Sequence, residues 1–206
     1  MARPRQFDEE RVIGAAMDTF WRHGYEGTST RDLCDSTGLG PSSLYNTFGG
    51  KRQLYLRALE RYHDTATAEQ MEILAGPGPA GRRLRALMVH AVDTDLAAAE
   101  ADPHGCFAIN AAIEAAAHDP DVKQVVRRTF DRVEGAIRTV VAAGQGAGEF
   151  RTDIDTRTLA RQVQSAYYGL RVLSRAQDRR TLLSTIRATL TTLSAPPERA
   201  GATAAP

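Results

Sequence analysis

The segment from Gly38 to Lys51, GLGPSSLYNTFGGK, most constrains what this chain can fold into. Glycines stand at both ends and leave room for a helix of only about two turns between them. Pro41 suits the first helical position, because an N–H at that position would have no partner within the helix. Leu44 and Phe48 lie four residues apart and share the face that can be buried. The opposite face then carries small polar groups and a phenol: Ser42, Ser43, Tyr45, Asn46 and Thr47. A short helix of this kind suits a polar partner, and we predict that it reads DNA within a helix-turn-helix.

Two amphipathic segments precede this helix. Asp8 is a good N-cap for a first helix that Gly24 ends, and apolar residues recur at helical spacing between them. Ser29 and Asp32 fit a capping box that opens the second helix, with Asp in the role more often taken by Glu or Gln. Residues 1–6 carry two arginines and are interpreted as either a basic arm or a solvated tail. We therefore predict a helix-turn-helix domain of three helices over residues 1–50.

The remainder of the chain is helical in pattern, and the period-two alternation typical of strands is absent. Gly, Pro and Asp residues divide it into predicted helices 51–74, 82–100, 106–117, 120–143, 155–176 and 179–193. The expected fold is all-α with about nine helices. Helix 4, residues 51–74, connects the first domain to a helical body that spans residues 51–194. The Ala/Pro/Thr-rich residues 195–206 are expected to form a disordered tail.

Charge and cysteine content limit the class of protein. The 206 residues carry a formal net charge of +1, so any positive surface for nucleic acid must be local. The two cysteines, Cys34 and Cys106, are far apart in the sequence, which favours a reducing compartment over a disulfide framework. No secretory signal is recognisable, and no apolar run reaches the roughly 20 residues of a membrane helix. We expect a cytoplasmic protein without a membrane partner.

The residues from Gly24 to Lys51, GYEGTSTRDLCDSTGLGPSSLYNTFGGK, resemble the TetR family of one-component transcriptional regulators. The resemblance implies a repressor that binds a palindromic double-stranded DNA operator as a homodimer and is released by a small-molecule effector. It also implies that the helical body binds the effector and dimerises. Gly40, Ser42 and Thr47 depart from the residues common in the family at positions that face DNA. These departures affect the expected operator sequence and leave the expected fold unchanged.

The resemblance assigns DNA contacts to individual residues. Arg31 is expected to read a guanine by a bidentate contact, because it stands near the start of helix 2. An alternative is a local ion pair between Arg31 and Asp35, four residues on. The alternative for Tyr45 is a surface aromatic residue without a role. The whole expected set comprises Thr30, Arg31, Pro41, Ser42, Ser43, Tyr45, Asn46, Thr47 and Lys51, in which Thr30, Tyr45 and Lys51 resemble phosphate contacts.

Two apolar stripes near the C-terminus are candidates for the dimer interface. By resemblance, the last two long helices would pair with those of a second copy as a four-helix bundle. The alternative is that both stripes form the core of a single chain. The residues concerned are Leu159, Val163, Tyr167, Leu170, Leu182, Ile186, Leu190 and Leu193.

The predicted helix that begins at Cys106 carries polar groups in an apolar context. Asn110 and Glu114 lie four residues apart on one face, and such groups must reach water or find partners. They could anchor an effector, or Glu114 could form a structural ion pair with an arginine such as Arg127. The full candidate effector set is Cys106, Phe107, Asn110, Glu114, Phe130, Tyr167, Tyr168 and Arg171.

Cys106 supports a second hypothesis, because a thiol at a helix N-terminus can be activated as a thiolate. Cys106 would then switch the repressor in response to an oxidant or electrophile. The alternative is that Cys106 is a small buried side chain of the core.

Other classes of protein find little support in the sequence. No metal-ligand spacing, paired cysteines or glycine-rich phosphate loop is present, so we expect no catalysis, no cofactor and no metal. A helical adaptor that does not bind DNA would leave the polar face of the third helix without an explanation. An enzyme and an adaptor remain the remote alternatives.

Overall fold

A computed structural model describes residues 8–101 and 105–194. Within these ranges the chain forms nine helices, and Phe150 and Ser194 form an isolated antiparallel β-bridge. The all-α prediction is therefore confirmed. The predicted N-terminal arm and C-terminal tail lie outside the described residues. The helices are α1 (Glu9–Gly27), α2 (Thr30–Thr37), α3 (Pro41–Phe48), α4 (Lys51–Ala75), α5 (Ala80–Ala101), α6 (Phe107–Glu114), α7 (Pro120–Gly146), α8 (Thr156–Leu173) and α9 (Arg179–Leu193).

The helix ends follow local chemistry that is visible in the sequence. Asp8 caps α1 by accepting hydrogen bonds from two first-turn N–H groups. Ser29 and Asp32 form the predicted capping box at the start of α2. Gly38 ends α2 at a φ of 74°, a left-handed conformation that costs glycine little because it has no Cβ. Gly24 interrupts α1 as expected, although one further helical turn follows it before Thr28.

Three of the predicted boundaries were wrong by several residues. α7 continues through Gly144 to Gly146, because Gly144 lies against the ring of Phe150 and does not break the helix. A Cβ at position 144 would approach Phe150 Cδ2 to 2.3 Å, so only glycine permits this packing. The ends of α6 at Glu114 and α8 at Leu173 come earlier than predicted.

The buried side chains form two separate clusters. The first joins α1, α2, α3 and the first half of α4 to α6 and the start of α7. The second joins the end of α4 to α5, the rest of α7, α8 and α9. α6 therefore packs against α1 and α4 of the first cluster as well as against the start of α7. This placement decides what the polar residues of α6 contact.

The apolar stripes of α8 and α9 face the core of the chain itself. Seven of the eight residues assigned to a dimer interface have at most 1% of their surface exposed: Leu159, Val163, Tyr167, Leu170, Leu182, Ile186 and Leu193. Side chains without exposed surface cannot contact a partner subunit, so their assignment to that interface does not hold. Leu190 is half-buried against the same core. Core and interface stripes are equally apolar, and periodicity does not distinguish them.

A helix that spans a bilayer needs roughly 20 predominantly apolar residues. Over the described residues, no helix combines the length and the hydropathy of a membrane-spanning helix.

Candidate DNA-binding surface and effector region

α3 presents the polar face that the sequence predicts. Leu44 and Phe48 anchor it and are 1% and 6% exposed, whereas Tyr45 is 69% exposed. The other five predicted residues of α3 are exposed as well: Pro41, Ser42, Ser43, Asn46 and Thr47. The N-cap residue Gly40 supplies no capping side chain, so the first N–H groups of α3 keep their hydrogen-bonding capacity for an incoming acceptor. The N-terminal turn of α3 can therefore approach a phosphate or a base edge closely.

Three cationic or hydroxyl groups flank α3. Thr30 and Arg31 are exposed on the first turn of α2, and Lys51 begins α4. Lys51 is half-buried, because its Nζ lies 4.4 Å from the centroid of the Tyr25 ring. This cation–π contact holds the ammonium near the C-terminal end of α3.

The Arg31–Asp35 ion pair considered from the sequence is present in a weak form. The closest N–O distance is 3.9 Å, and the side chains are 90% and 74% exposed. A pair this long and this exposed contributes little to stability. It does not fix the guanidinium, which can therefore turn toward a partner.

Glu114 connects α6 to the helix-turn-helix through backbone hydrogen bonds. Its Oε2 accepts from the N–H of Tyr25 at 2.9 Å, and its Oε1 accepts from the N–H of Glu26 at 2.8 Å. A Cβ on Gly24 would lie 2.9 Å from both carboxylate oxygens, so glycine permits the approach. Of the two alternatives drawn from the sequence, the ion pair with an arginine such as Arg127 does not form between these described residues; Arg127 Nε lies 3.5 Å from Asp131 Oδ2 instead. Glu114 thus holds the end of α1, directly before α2.

A second polar contact connects the start of α4 to the start of α7. Arg52 Nε and Nη2 donate to the two carboxylate oxygens of Asp119 at 2.7 and 2.8 Å, and Nη2 also donates to Asp121 at 2.7 Å. Asp119 is in addition the N-cap of α7. The hydrogen bonds from Arg52 hold the pKa of Asp119 below its ordinary value. Since Arg52 directly follows Lys51 in the chain, this contact lies next to the candidate DNA-binding surface.

Most of the eight candidate effector residues lie in one neighbourhood around Tyr62 and Tyr167, although they do not all line one cavity. Phe107 is 1% exposed and packs edge-on against Tyr55 and Tyr62, with ring centroids 5.7 Å away in each case. Asn110 Oδ1 accepts from Arg175 Nη2 at 3.3 Å. The ring of Phe130 lies tilted against that of Tyr168, with the centroids 4.6 Å apart.

Only Tyr167 and Arg171 of that set line a common cavity. The cavity has a volume of about 100 Å³ and lies between α1, α4, α5 and α8. Arg171 is 8% exposed and donates to both carboxylate oxygens of Asp95, at 2.9 and 2.7 Å. Burial raises the pKa of Tyr167 to about 12, so its hydroxyl stays protonated at neutral pH.

Cys106 is the N-cap residue of α6 and is 5% exposed. Its Sγ lies 3.3 Å from the hydroxyl of Tyr62, a residue of α4 that also lines the cavity. Beside it, Trp21 Nε1 donates to the carbonyl of Gly105 at 2.8 Å. The thiol is therefore packed between α6, α1 and α4.

Two family models match this chain. The model for bacterial regulatory proteins of the tetR family covers residues 12–58, and the model for the tetracyclin repressor-like C-terminal domain covers residues 80–190. YezE of Bacillus subtilis (strain 168), an HTH-type transcriptional regulator, is 32% identical over 179 residues, which are 85% of this chain and 90% of YezE. The chain belongs to the TetR family.

Further transcriptional regulators resemble it over most of their length. ComR of Escherichia coli (strain K12), an HTH-type transcriptional repressor, is 27% identical over 84% of this chain and 82% of ComR. The TetR family transcriptional regulator CifR, solved as a cysteine mutant with a 26bp double-strand operator DNA, superposes with a TM-score of 0.78 at 26% identity. That match covers 93% of this chain and 100% of the CifR chain. The predictions of the family and of a helix-turn-helix transcriptional regulator are confirmed.

Several residues of this TetR family chain that surround the cavity were missed from the sequence. Trp21, Tyr62, Gln70 and His90 come from helices on which no cavity was expected. Asp95 left only a weak signal, because Asp93 stands two residues earlier in the same helix and is exposed. Arg171, an arginine next to an apolar stripe of α8, was the matching half of that signal.

Proposed function

We propose that this TetR family regulator is a repressor that binds a palindromic operator as a homodimer and releases it when a small molecule binds the helical body. The observation that carries the proposal is α3, which buries two apolar residues and exposes a continuous polar face. The CifR relative was solved with operator DNA, which supports the same use of this surface. Because bacterial operators lie in the cytoplasm, the protein would act there.

Within this proposal the exposed residues divide into two classes of contact. Pro41, Ser42 and Ser43 would meet base edges, since they occupy the N-terminal turn of a helix that enters the major groove. Arg31 would read a guanine. Thr30, Tyr45 and Lys51 would contact phosphates, which position the domain without reading sequence. Asn46 and Thr47, which belong to the same polar face of α3, would contact either a base edge or a phosphate.

The dimer would form through the outward faces of α8 and α9, since their inward faces are occupied by the core. Val172 and Leu173 supply exposed apolar surface at the end of α8, with 48% and 43% exposure. Gln162 donates to Thr192 Oγ1 at 3.0 Å and joins the two helices on the same side. Two such helices from each subunit would complete a four-helix bundle.

Release would follow from the contacts between body and DNA-binding helices. α4 begins beside α3 and lines the cavity further along its length, so a displacement at the cavity is transmitted to Lys51. Such a shift would change the distance between the two recognition helices of the dimer.

A footprint on the DNA upstream of the gene for this protein tests the proposal. We expect a protected region with two-fold symmetry and an affinity that falls steeply with salt. Repeating the footprint with candidate effectors tests release. An absence of protected sequence, or protection without symmetry at all concentrations, would contradict the proposal.

A second candidate function is electrophile sensing through Cys106. The specific observation that favours it is the 3.3 Å contact between Cys106 Sγ and the Tyr62 hydroxyl, because an adduct on sulfur would displace α4. Treatment with a quinone should then release DNA from the parent protein and not from Cys106→Ser. Equal release from both proteins would eliminate this function.

A further inference from the structure

The cavity between α1, α4, α5 and α8 is walled by aromatic rings from both halves of the protein. Trp21 comes from α1, Tyr62 from α4 and Tyr167 from α8. The rings of Trp21 and Tyr62 meet edge-to-face, with centroids 5.1 Å apart. A molecule in this cavity would therefore lie on flat apolar surfaces and touch the DNA-binding helices directly.

One buried polar group of the cavity lacks a partner. Gln70 lines the cavity and is 9% exposed, and its Oε1 accepts no hydrogen bond from any described residue. A carboxamide oxygen is a strong acceptor, and leaving it unpaired in a buried position is unfavourable. A ligand with an O–H or N–H donor would satisfy it.

The charges around the cavity favour a neutral ligand. The guanidinium of Arg171 is neutralised by its two hydrogen bonds to Asp95, so it does not supply an uncompensated positive charge. At the rim, His90 Nε2 lies 3.1 Å from Glu69 Oε1, and these side chains are 37% and 61% exposed. Each ionisable side chain that lines the cavity thus has a partner within the protein, so no uncompensated charge favours an ionic ligand of either sign.

We propose that this cavity binds a small neutral molecule with a compact, flat apolar body and one hydrogen-bond donor directed at Gln70. The proposal rests on the proposed function, since it makes this molecule the effector of the repressor. The volume of about 100 Å³ is smaller than the roughly 150 Å³ of an apolar cavity that holds benzene. The cavity therefore encloses a six-membered ring only in part, and the far edge of the ring would extend past the half-exposed rim.

Trp21 is the single tryptophan of the chain, so intrinsic fluorescence reports directly on this cavity. Phenol, toluene and benzoate are titrated onto the full-length protein, with calorimetry as a second readout. Phenol and toluene match in shape and differ in the donor. We expect saturable binding of phenol, binding of toluene at least about fivefold weaker, as one neutral hydrogen bond implies, and benzoate weaker than phenol.

Two variants locate the donor and the cavity. Gln70→Leu removes the acceptor and should bring the phenol-to-toluene affinity ratio close to one. The matched control Gln124→Leu, at an exposed glutamine of α7, should keep the ratio of the parent. Ala66→Leu adds volume to the cavity wall and should abolish phenol binding even if Gln70→Leu fails to fold.

Equal affinities of the parent for phenol and toluene would overturn the donor requirement. An unchanged ratio in Gln70→Leu, or unchanged phenol binding in Ala66→Leu, would overturn the assigned cavity. If none of the three probes bound saturably, the cavity would hold water alone, and the proposal would be overturned. Operator binding by the ligand-free protein is measured separately, so its loss would count against the proposed function and not against the cavity.

Discussion

The contact between Glu114 and the end of α1 leads to a quantitative prediction. Glu114→Ala removes a carboxylate that accepts N–H groups of Tyr25 and Glu26 at 2.9 and 2.8 Å. Hydrogen bonds to a charged group contribute about 1.5–3 kcal/mol each. Because Glu26 is exposed and its N–H can turn to water, we expect a loss of about 2–4 kcal/mol in the free energy of unfolding.

For a chain of this size each kcal/mol corresponds to about 2–4 °C in Tm, so Tm should fall by about 4–16 °C. Thermal unfolding followed by circular dichroism measures this change. Glu114→Gln should lie between the parent and Glu114→Ala, because a carboxamide keeps one acceptor and turns an NH2 group toward the other donor. Hydrogen exchange at the two amides should accelerate in both variants.

The matched control is Glu72→Ala, at an exposed glutamate of α4. Its Tm should stay within about 1 °C of the parent, as is usual for exposed substitutions. If Glu114→Ala changed Tm no more than Glu72→Ala does, the two hydrogen bonds would not hold α6 to the helix-turn-helix. The role given to Glu114 would then be refuted.

Three further predictions follow from charged groups. Lys51→Met should weaken binding to all DNA sequences alike and reduce the slope of log K against log salt by about 0.9; an unchanged slope would contradict a phosphate contact. Arg171→Met should lower the free energy of unfolding by about 3–5 kcal/mol, because it leaves Asp95 buried without its partner. The double variant Arg171→Met/Asp95→Leu should recover most of this loss. A Tm of the single variant Arg171→Met equal to that of the parent would contradict the prediction. The pKa of Asp119 is lowered in the folded protein, so its contribution is present above about pH 4 and is lost as pH falls through the lowered pKa. Asp119→Asn keeps the N-cap and should therefore show a smaller fall in Tm from about pH 5 to about pH 3 than the parent; equal falls would contradict the pair with Arg52.

The features of the fold that could be predicted each depend on residues that are close together in the sequence. The caps at Asp8 and Ser29, the left-handed Gly38 and the buried pair on α3 each involve residues within a few positions of one another. Their chemistry is therefore readable from the chain alone. The polar face of α3 followed from the same short-range pattern.

The contacts of α6 were not predictable in this way. Glu114 and Tyr25 are 89 residues apart, and the donor is a backbone N–H that every residue except proline possesses. For that reason, side-chain chemistry alone suggested Arg127 as a partner of Glu114. The stripes of α8 and α9 posed the same difficulty, because the sequence does not show whether an apolar face meets its own chain or a second copy.

Cross-linking from Tyr45 tests most directly whether α3 contacts operator DNA. This side chain is 69% exposed on the polar face of α3 and can carry a photoreactive benzoyl group in place of its hydroxyl without disturbing the core. On irradiation with upstream DNA, we expect cross-links at two positions related by two-fold symmetry, and none from the same group placed at Glu72. A lack of cross-links from Tyr45, or equally frequent cross-links from Glu72, would contradict a contact between α3 and operator DNA.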